Sequence, residues 1–217
     1  AGAMSSSSPD AASDVKWDAI VVTSAHMVGV ISTHTPHTGT RANPIPLPPL
    51  QNHALAHVKR LQRRQRNGDF DKNVLIIASP DPDGSFIGSG GATMNALLHV
   101  TEHLSARAGA TFVDSATLAD RNVLILHVDG ESRRLPLFSS SATSVDGSAV
   151  ELMITNITKI RKASSAPAGT WICSVEASLS FNGPAPALDF SREGFTAFSQ
   201  RVPAETVACM HGTYKAR

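Results

Sequence analysis

Four short apolar runs, each rich in β-branched residues, stand out along the chain, and polar residues do not alternate through them. Such runs are typical of strands that are covered on both faces of a parallel sheet. Stretches compatible with helices lie between them, so the pattern predicts an α/β fold with a mainly parallel sheet flanked by helices. The predicted strands are residues 17–23, 73–78, 122–128 and 170–174, with further short strands at 195–198 and 207–210.

Three segments place apolar residues at helical spacing, and they predict three helices. In the first, Leu55, Val58 and Leu61 are expected to share one face. The third has a longer apolar stripe, which consists of Val150, Met153, Ile154, Ile157 and Ile160. The predicted helices are residues 51–66, 95–108 and 150–162.

The length of 217 residues corresponds to one domain, or to one domain and a fragment. Residues 1–14 are small and polar, so we expect them to be disordered, and the first three resemble a vector remnant. Residues 15–217 are then predicted to be a single α/β domain. Within it, residues 33–50 contain five prolines and are predicted to form an irregular loop.

Composition and charge narrow the class of protein. Hydrophobic residues make up 41% of the chain, charged residues make up 17%, and the net charge is +1, which disfavours a polycationic nucleic-acid-binding protein. Cys173 and Cys209 lie far apart, which excludes a disulfide framework and indicates free thiols in a reducing compartment. No apolar run approaches the ~20 residues of a membrane-spanning helix, and no apolar secretion segment occurs near the N-terminus. We therefore expect a cytoplasmic protein that binds neither nucleic acid nor membranes.

A glycine-rich segment precedes the second predicted helix and is the first candidate site. Three glycines in four positions let a phosphate approach the backbone, and the helix start offers unpaired N–H groups and a positive dipole end. An ordinary flexible turn has the same composition, so both interpretations stay open. The lysine of a Walker A loop is absent, and the Rossmann fingerprint is poor because a threonine occupies its third small position. The segment consists of Gly88, Ser89, Gly90, Gly91, Ala92 and Thr93.

A second candidate segment directly follows the third predicted strand. Its adjacent arginines, Arg133 and Arg134, suit a polyphosphate, because each guanidinium stays charged and can bind two oxygens at once. A solvated turn with two surface arginines is the alternative. The residues before the arginines in this segment are Gly130, Glu131 and Ser132.

Together the two segments resemble the L-fucokinase/fucose-1-phosphate guanylyltransferase family, also called the GDP-fucose pyrophosphorylase family, in its N-terminal nucleotidyltransferase part. Residues 17–23 resemble the first strand of that family, and Pro82-Asp83-Gly84 before the glycines also fits. Residues 170–174 with Glu176, and His211-Gly212, resemble later segments. The resemblance covers residues 15–214.

The resemblance implies a fold like that of the nucleotide-diphospho-sugar transferases and a reaction of GTP with a sugar 1-phosphate. The products are a GDP-sugar, either GDP-fucose or GDP-arabinose, and pyrophosphate, and the cofactor is Mg²⁺. It implies that Arg133 and Arg134 are catalytic and that Glu176, where the family has an aspartate, binds the metal. The implied nucleotide-binding residues are Gly88, Ser89, Gly90, Gly91, Ala92, Thr93, Gly130, Glu131 and Ser132.

Two departures from the family pattern favour an alternative function. Asp129 replaces the first of two glycines in the phosphate segment, and no basic residue occurs from 135 to 152, where the family has a Gly-Lys or Gly-Arg pair. The chain is also shorter than family members, and nothing in it resembles their sugar kinase. The alternative is a non-catalytic or truncated nucleotide- or sugar-phosphate-binding domain of a larger fucokinase-type protein, with the remainder of a bifunctional kinase chain as its partner.

Two other patterns give competing interpretations. His99 and His103, with Glu102 between them, match an H-x-x-E-H zinc pattern and share a helical face, but no third ligand is evident. A helix with two partly exposed histidines is therefore the favoured explanation. Residues 59–66 are the densest basic run, yet no aromatic residues interleave for base stacking, which favours a solvated helix face over an RNA site.

Overall fold

The computed structural model describes residues 16–24, 53–82, 87–128, 149–175, 179, 183–190 and 194–198. These residues form four strands, which are β1 (Ala19–Ser24), β2 (Leu75–Pro80), β3 (Asn122–His127) and β4 (Gly169–Ser174). The helices are α1 (His53–Arg66), α2 (Gly88–Arg107) and α3 (Ala149–Ser164), with a 3₁₀ helix at Ser115–Leu118.

The four strands lie in the order β2-β1-β3-β4, and every neighbouring pair is parallel. The predicted α/β class with a parallel sheet flanked by helices is therefore confirmed, and the arrangement is consistent with a Rossmann-like fold. β1 is central and all six of its residues are buried, as its unbroken apolar run predicts. β4, which pairs with β3 alone among the described strands, alternates half-buried and exposed residues instead.

Successive side chains of each strand point to opposite faces of the sheet, which divides the core in two. On one face, Val21 and Ile125 pack in a cluster with Ala96 and Val100 of α2. The opposite face packs against α1 and α3. Its largest fully buried members are Ile20, Leu61, Leu124, Leu126 and Ile160.

The predicted apolar stripe of α3 is confirmed, since all five of its members are at most 6% exposed. The predicted face of α1 is wrong at one position. Leu55 is 41% exposed, and Ala54, at 0%, takes its place beside Val58 and Leu61. Positions 54, 58 and 61 follow the i, i+4, i+7 spacing of a helix face, on which a small residue fits close to the sheet.

Five further sequence predictions concern the start of α2, two short strands and two irregular segments. α2 begins at Gly88 and not at 95, so the glycine-rich segment is the start of the helix itself. The predicted strand at 195–198 is wrong, because these residues are not in a strand, and Phe195 is 88% exposed. The predicted disordered N-terminus at 1–14, the proline-rich loop at 33–50 and the predicted strand at 207–210 lie outside the described residues.

Candidate functional site

The strand order identifies one edge of the sheet as the candidate site. From β1 the chain passes to β2 on one side, and β3 lies on the other side of β1, so the order reverses between β1 and β3. In open α/β sheets, ligands bind outside the carboxyl ends of the strands at such a switch point. The strands β1 and β3 end there at Ser24 and His127.

On the face that α2 covers, the strands change from apolar to polar residues at this edge. Thr23 lies in register with both Ser79 of β2 and His127 of β3, and all three are at most 7% exposed. The residues two positions earlier in these strands are apolar, which are Val21, Ile77 and Ile125. We call the buried row of Thr23, Ser79 and His127, together with Asp81, the polar layer.

A chain of hydrogen bonds through His127 joins the polar layer to α2. Thr23 Oγ1 lies 2.7 Å from His127 Nδ1, and Thr93 Oγ1 lies 3.0 Å from His127 Nε2. The Thr93 hydroxyl donates its proton to the Ser89 carbonyl at 2.9 Å, so it accepts from the Nε2–H of His127. These hydrogen bonds fix the first turn of α2 to the ends of β1 and β3.

A second contact fixes α2 to β2. The Asn95 amide donates to Ser79 Oγ at 3.2 Å and to the Pro80 carbonyl at 3.1 Å. Since Thr93 contacts β3 and Asn95 contacts β2, the first two turns of α2 lie across the carboxyl ends of both strands.

The N-terminus of α2 itself is open. Gly88, Ser89 and Gly90 are exposed, no described side chain caps the helix at Ile87, and its first turn contains no acidic residue. The first-turn N–H groups of a helix have no intrahelical partner, and the dipole is positive at this end. Such a terminus is suited to a phosphate or carboxylate.

Each of the three glycines in this turn has its own physical role. Gly88 has φ +67°, a backbone conformation that side chains disfavour. A Cβ on Gly91 would lie 2.8 Å from Cβ of Ile87, so this glycine permits close packing. A Cβ on Gly90 would meet open space, which leaves its backbone accessible to a ligand. Ala92 is 6% exposed, so only its backbone can contribute to such a site.

The remaining predicted site residues cannot be placed against this geometry. Gly130, Glu131, Ser132, Arg133, Arg134 and Glu176 lie outside the described residues, as does Asp129. Their convergence with α2 stays a prediction.

Sequence reasoning assigned no role to the polar layer or to Asn95. The sequence does contain a signal for these residues, because β1, β2 and β3 each change from apolar to polar residues at the carboxyl end. The ends read Thr23-Ser24, Ser79-Pro80-Asp81 and His127. Which of these residues meet depends on strand order, which the sequence pattern did not give.

The other candidates from the sequence are a metal site, the basic run at 59–66 and the free cysteines. Within the described ranges, no group of three or more His, Cys, Asp or Glu side chains could hold a metal. Part of the basic run is structural, because Arg60 Nε and Arg64 Nη1 lie 2.7 and 3.0 Å from the carboxylate of Glu151, a residue that is 6% exposed. Cys173 is a free thiol, as predicted, and burial raises its pKa to about 12, so it is protonated at neutral pH.

A cavity of ≈ 520 Å³ opens near the amino ends of the strands, away from the switch point, and is lined in part by Lys16, Trp17, Phe70 and Asp71. Lys16 and Asp71 pair with each other at 2.8 Å, and Trp17 donates to Thr158, which are contacts that hold elements together. We therefore place the candidate site at the carboxyl edge and not in this cavity.

None of the described helices is both long and apolar enough to cross a bilayer.

Comparison with known proteins gives one distant relative. The bifunctional fucokinase/GDP-fucose pyrophosphorylase of Arabidopsis thaliana is 33% identical to this chain over 88 residues. The match covers 36% of this chain and 8% of that protein's length. No protein-family description and no solved structure matches the chain. The similarity supports a distant relationship to that protein.

Proposed function

We propose that this chain is a nucleotidyltransferase-related domain that binds GTP at the carboxyl edge of its sheet. The observation that supports the proposal is the open, glycine-rich N-terminus of α2, held by Thr93 and His127 over the β1/β3 switch point. The distant similarity to a fucokinase/GDP-fucose pyrophosphorylase supports the choice of a sugar nucleotide as product. The proposed reaction joins GTP and a sugar 1-phosphate to form GDP-fucose or GDP-arabinose and pyrophosphate.

In the proposed reaction, a phosphate oxygen of the sugar 1-phosphate attacks the α-phosphorus of GTP. The bond between that phosphorus and the oxygen bridging to the β-phosphate breaks, and pyrophosphate leaves with the electron pair. The chain must align the two anionic reactants and neutralise charge on the leaving group. We assign alignment to the first-turn N–H groups of α2 and neutralisation to Arg133 and Arg134, with Gly130, Glu131 and Ser132 in the same phosphate segment.

We propose Mg²⁺ as the cofactor, with Glu176 as a candidate ligand from the family resemblance. Mg²⁺ commonly binds proteins through one or two carboxylates and takes its other ligands from substrate phosphates and water. A site with few protein ligands therefore fits this ion, and it would supply shielding of the phosphate charge when bound.

A binding domain without turnover is the second candidate function. Asp129 adds a negative charge to the phosphate segment, and no basic residue follows between 135 and 152. The relative that the chain matches is also far longer than the matched region. This candidate predicts that GTP or a GDP-sugar binds and that no pyrophosphate is released.

The test of the proposed site is a charge placed at Gly90, where a side chain meets open space. We expect Gly90→Asp to weaken GTP binding by about fivefold or more, because a carboxylate close to a bound phosphate costs about 1 kcal/mol even at a solvated surface. Gly90→Ala is the matched control and should bind as the wild type does. Isothermal titration calorimetry measures both affinities. Equal binding by the two variants, or no binding of millimolar GTP by the wild type, would contradict the proposal.

The two candidate functions separate in a pyrophosphate-release assay with GTP, fucose 1-phosphate and Mg²⁺. If the chain is catalytic, we expect turnover that Arg134→Ala lowers by roughly 100-fold, the usual effect of removing one group that stabilises developing charge. Binding of GTP without release of pyrophosphate identifies the binding domain instead.

A further inference from the structure

A buried carboxylate at the same edge of the sheet has no partner for one of its oxygens. Asp81 directly follows β2 and is 4% exposed, and its Oδ1 is fully buried with no hydrogen-bond partner among the described residues. Its backbone N–H donates to the Ser24 carbonyl at 3.2 Å, so the β1–β2 ladder continues through Asp81. Since side chains alternate along a strand, Asp81 lies on the face of Ser79, toward α2.

The environment of Asp81 contrasts with that of two aspartates that precede β1 and β2. The carboxylate of Asp18 lies 3.0 Å from Arg121, and that of Asp71 lies 2.8 Å from Lys16, although both side chains are about a quarter exposed. Burial of a carboxylate oxygen without a partner costs free energy, and proteins retain such a group where a ligand, an ion or water satisfies it. Of these three aspartates, the most buried is thus the one whose carboxylate pairs with no cation among the described residues.

We propose that Asp81 is a protein ligand of a hard divalent cation that joins this carboxylate to phosphate oxygens bound at the N-terminus of α2. This inference rests on the proposed nucleotide site and names a cation ligand for it. The Asn95 amide donates to the Pro80 carbonyl and so fixes the residue before Asp81 against the second turn of α2. Phosphate oxygens and water would supply the other ligands, as is usual for Mg²⁺.

Mn²⁺, a paramagnetic substitute for Mg²⁺, is the probe. Electron paramagnetic resonance measures free Mn²⁺ during titration of the protein, alone and with GTP. We expect one bound ion in the wild type, tighter with GTP, and weakening by roughly tenfold or more in Asp81→Asn, since even outer-shell partners of metal ligands contribute that much. Asp69→Asn is the control. Asp69 lies on the loop before β2 and pairs with Arg64 of α1, so this substitution should leave Mn²⁺ binding unchanged.

The outcomes separate this inference from the proposed function. Equal Mn²⁺ binding by Asp81→Asn and the wild type overturns it, as does absence of bound Mn²⁺ in the wild type. If GTP binds in EDTA and Mn²⁺ does not change its affinity, the nucleotide site stands and the proposed cation ligand is overturned. Mn²⁺ binding that depends on Asp81, without any GTP binding, supports the cation ligand and removes the proposed function.

A measurement on the wild type keeps the inference testable if Asp81→Asn fails to fold. Bound Mn²⁺ broadens the nuclear magnetic resonance signals of nearby protons. We expect broadening of the side-chain amide of Asn95, which contacts Ser79 and Pro80, and none for the amide of Asn156, which donates to Leu179 beside α3. Equal broadening of the two amides, or none, would overturn the inference.

Discussion

The amino and carboxyl ends of the sheet differ in how their polar groups are paired. At the amino ends, ion pairs and a hydrogen-bonded tryptophan join elements to one another, with Asp18 bound by Arg121 and by the N–H of Asn122. At the carboxyl ends, the buried groups are hydroxyls, a histidine and the Asp81 carboxylate, beneath a helix that no described side chain caps. At the first end the aspartates pair with cations, whereas at the second, one oxygen of the Asp81 carboxylate has no partner among the described residues. Stability and binding should therefore respond to substitutions at different ends.

The largest expected effect lies at the amino end, at Trp17. Its ring is 6% exposed, packs edge-on against Trp171 and lies 4.9 Å below the Arg161 guanidinium, and its Nε1 donates to Thr158. We expect Trp17→Ala to lower the free energy of unfolding by about 3–5 kcal/mol, the usual cost of removing a large buried ring. Urea denaturation measures the loss.

Trp17→Phe is the control for this prediction, because it keeps a ring and removes the hydrogen bond to Thr158. It should cost about 1 kcal/mol. Both variants, while folded, should bind GTP as the wild type does. A loss of GTP affinity in folded Trp17→Phe would show that the amino end takes part in binding, and the contrast between the two ends would fail.

An intermediate effect is expected at the carboxyl end, where α2 provides a matched pair of threonines. Thr93 and Thr101 each donate a hydroxyl to the carbonyl four residues earlier, at 2.9 and 2.7 Å, but only Thr93 also contacts His127. We expect Thr93→Val to cost about 1–3 kcal/mol, because it leaves the buried Nε2–H of His127 without its acceptor. GTP affinity should fall several-fold, since the first turn of α2 loses its tie to β3.

Thr101→Val removes a hydroxyl of the same kind from a buried position of the same helix. It should cost less stability than Thr93→Val, because no histidine donor loses its acceptor, and GTP affinity should be unchanged. Thermal denaturation and calorimetry compare the two variants. If both lower GTP affinity equally, helix stability and not the His127 chain controls the site.

These contrasts explain what the sequence could predict. The apolar runs of β1 and β3 are buried on both faces and that of β2 is buried or half-buried, so the runs identified all three strands to within two residues at each boundary. The stripe of α3 was predictable for the same reason, since each large apolar member is buried. The exposure of Leu55 was not predictable. The smaller Ala54 packs against the sheet instead, and helical periodicity does not distinguish between two neighbouring apolar residues.

The start of α2 and the polar layer were beyond local patterns for different reasons. Glycine has a low helix propensity, so residues 88–91 read as a loop, yet the close contact of Gly91 with Ile87 accompanies a helical turn there. Thr23 and His127 are 104 positions apart, and their contact exists only because β3 lies beside β1. A single sequence predicts that strands end in polar residues, but tertiary pairing decides which of them meet.

The smallest expected effect is the pH dependence of an exposed ion pair at the amino end. The hydrogen bond from Lys16 holds the pKa of the Asp71 carboxyl below its usual value, with a further contribution from the N–H of Asn73. A lowered folded-state pKa stabilises the protein above the unfolded pKa, and the effect is lost as pH falls through the folded value. The wild type should therefore be slightly more stable than Asp71→Asn near pH 6, and the difference should shrink as pH falls below the unfolded carboxyl pKa of about 3.9. Thermal melting at several pH values measures it. A difference that does not shrink as the pH is lowered would assign the role of Asp71 to side-chain packing and not to its charge.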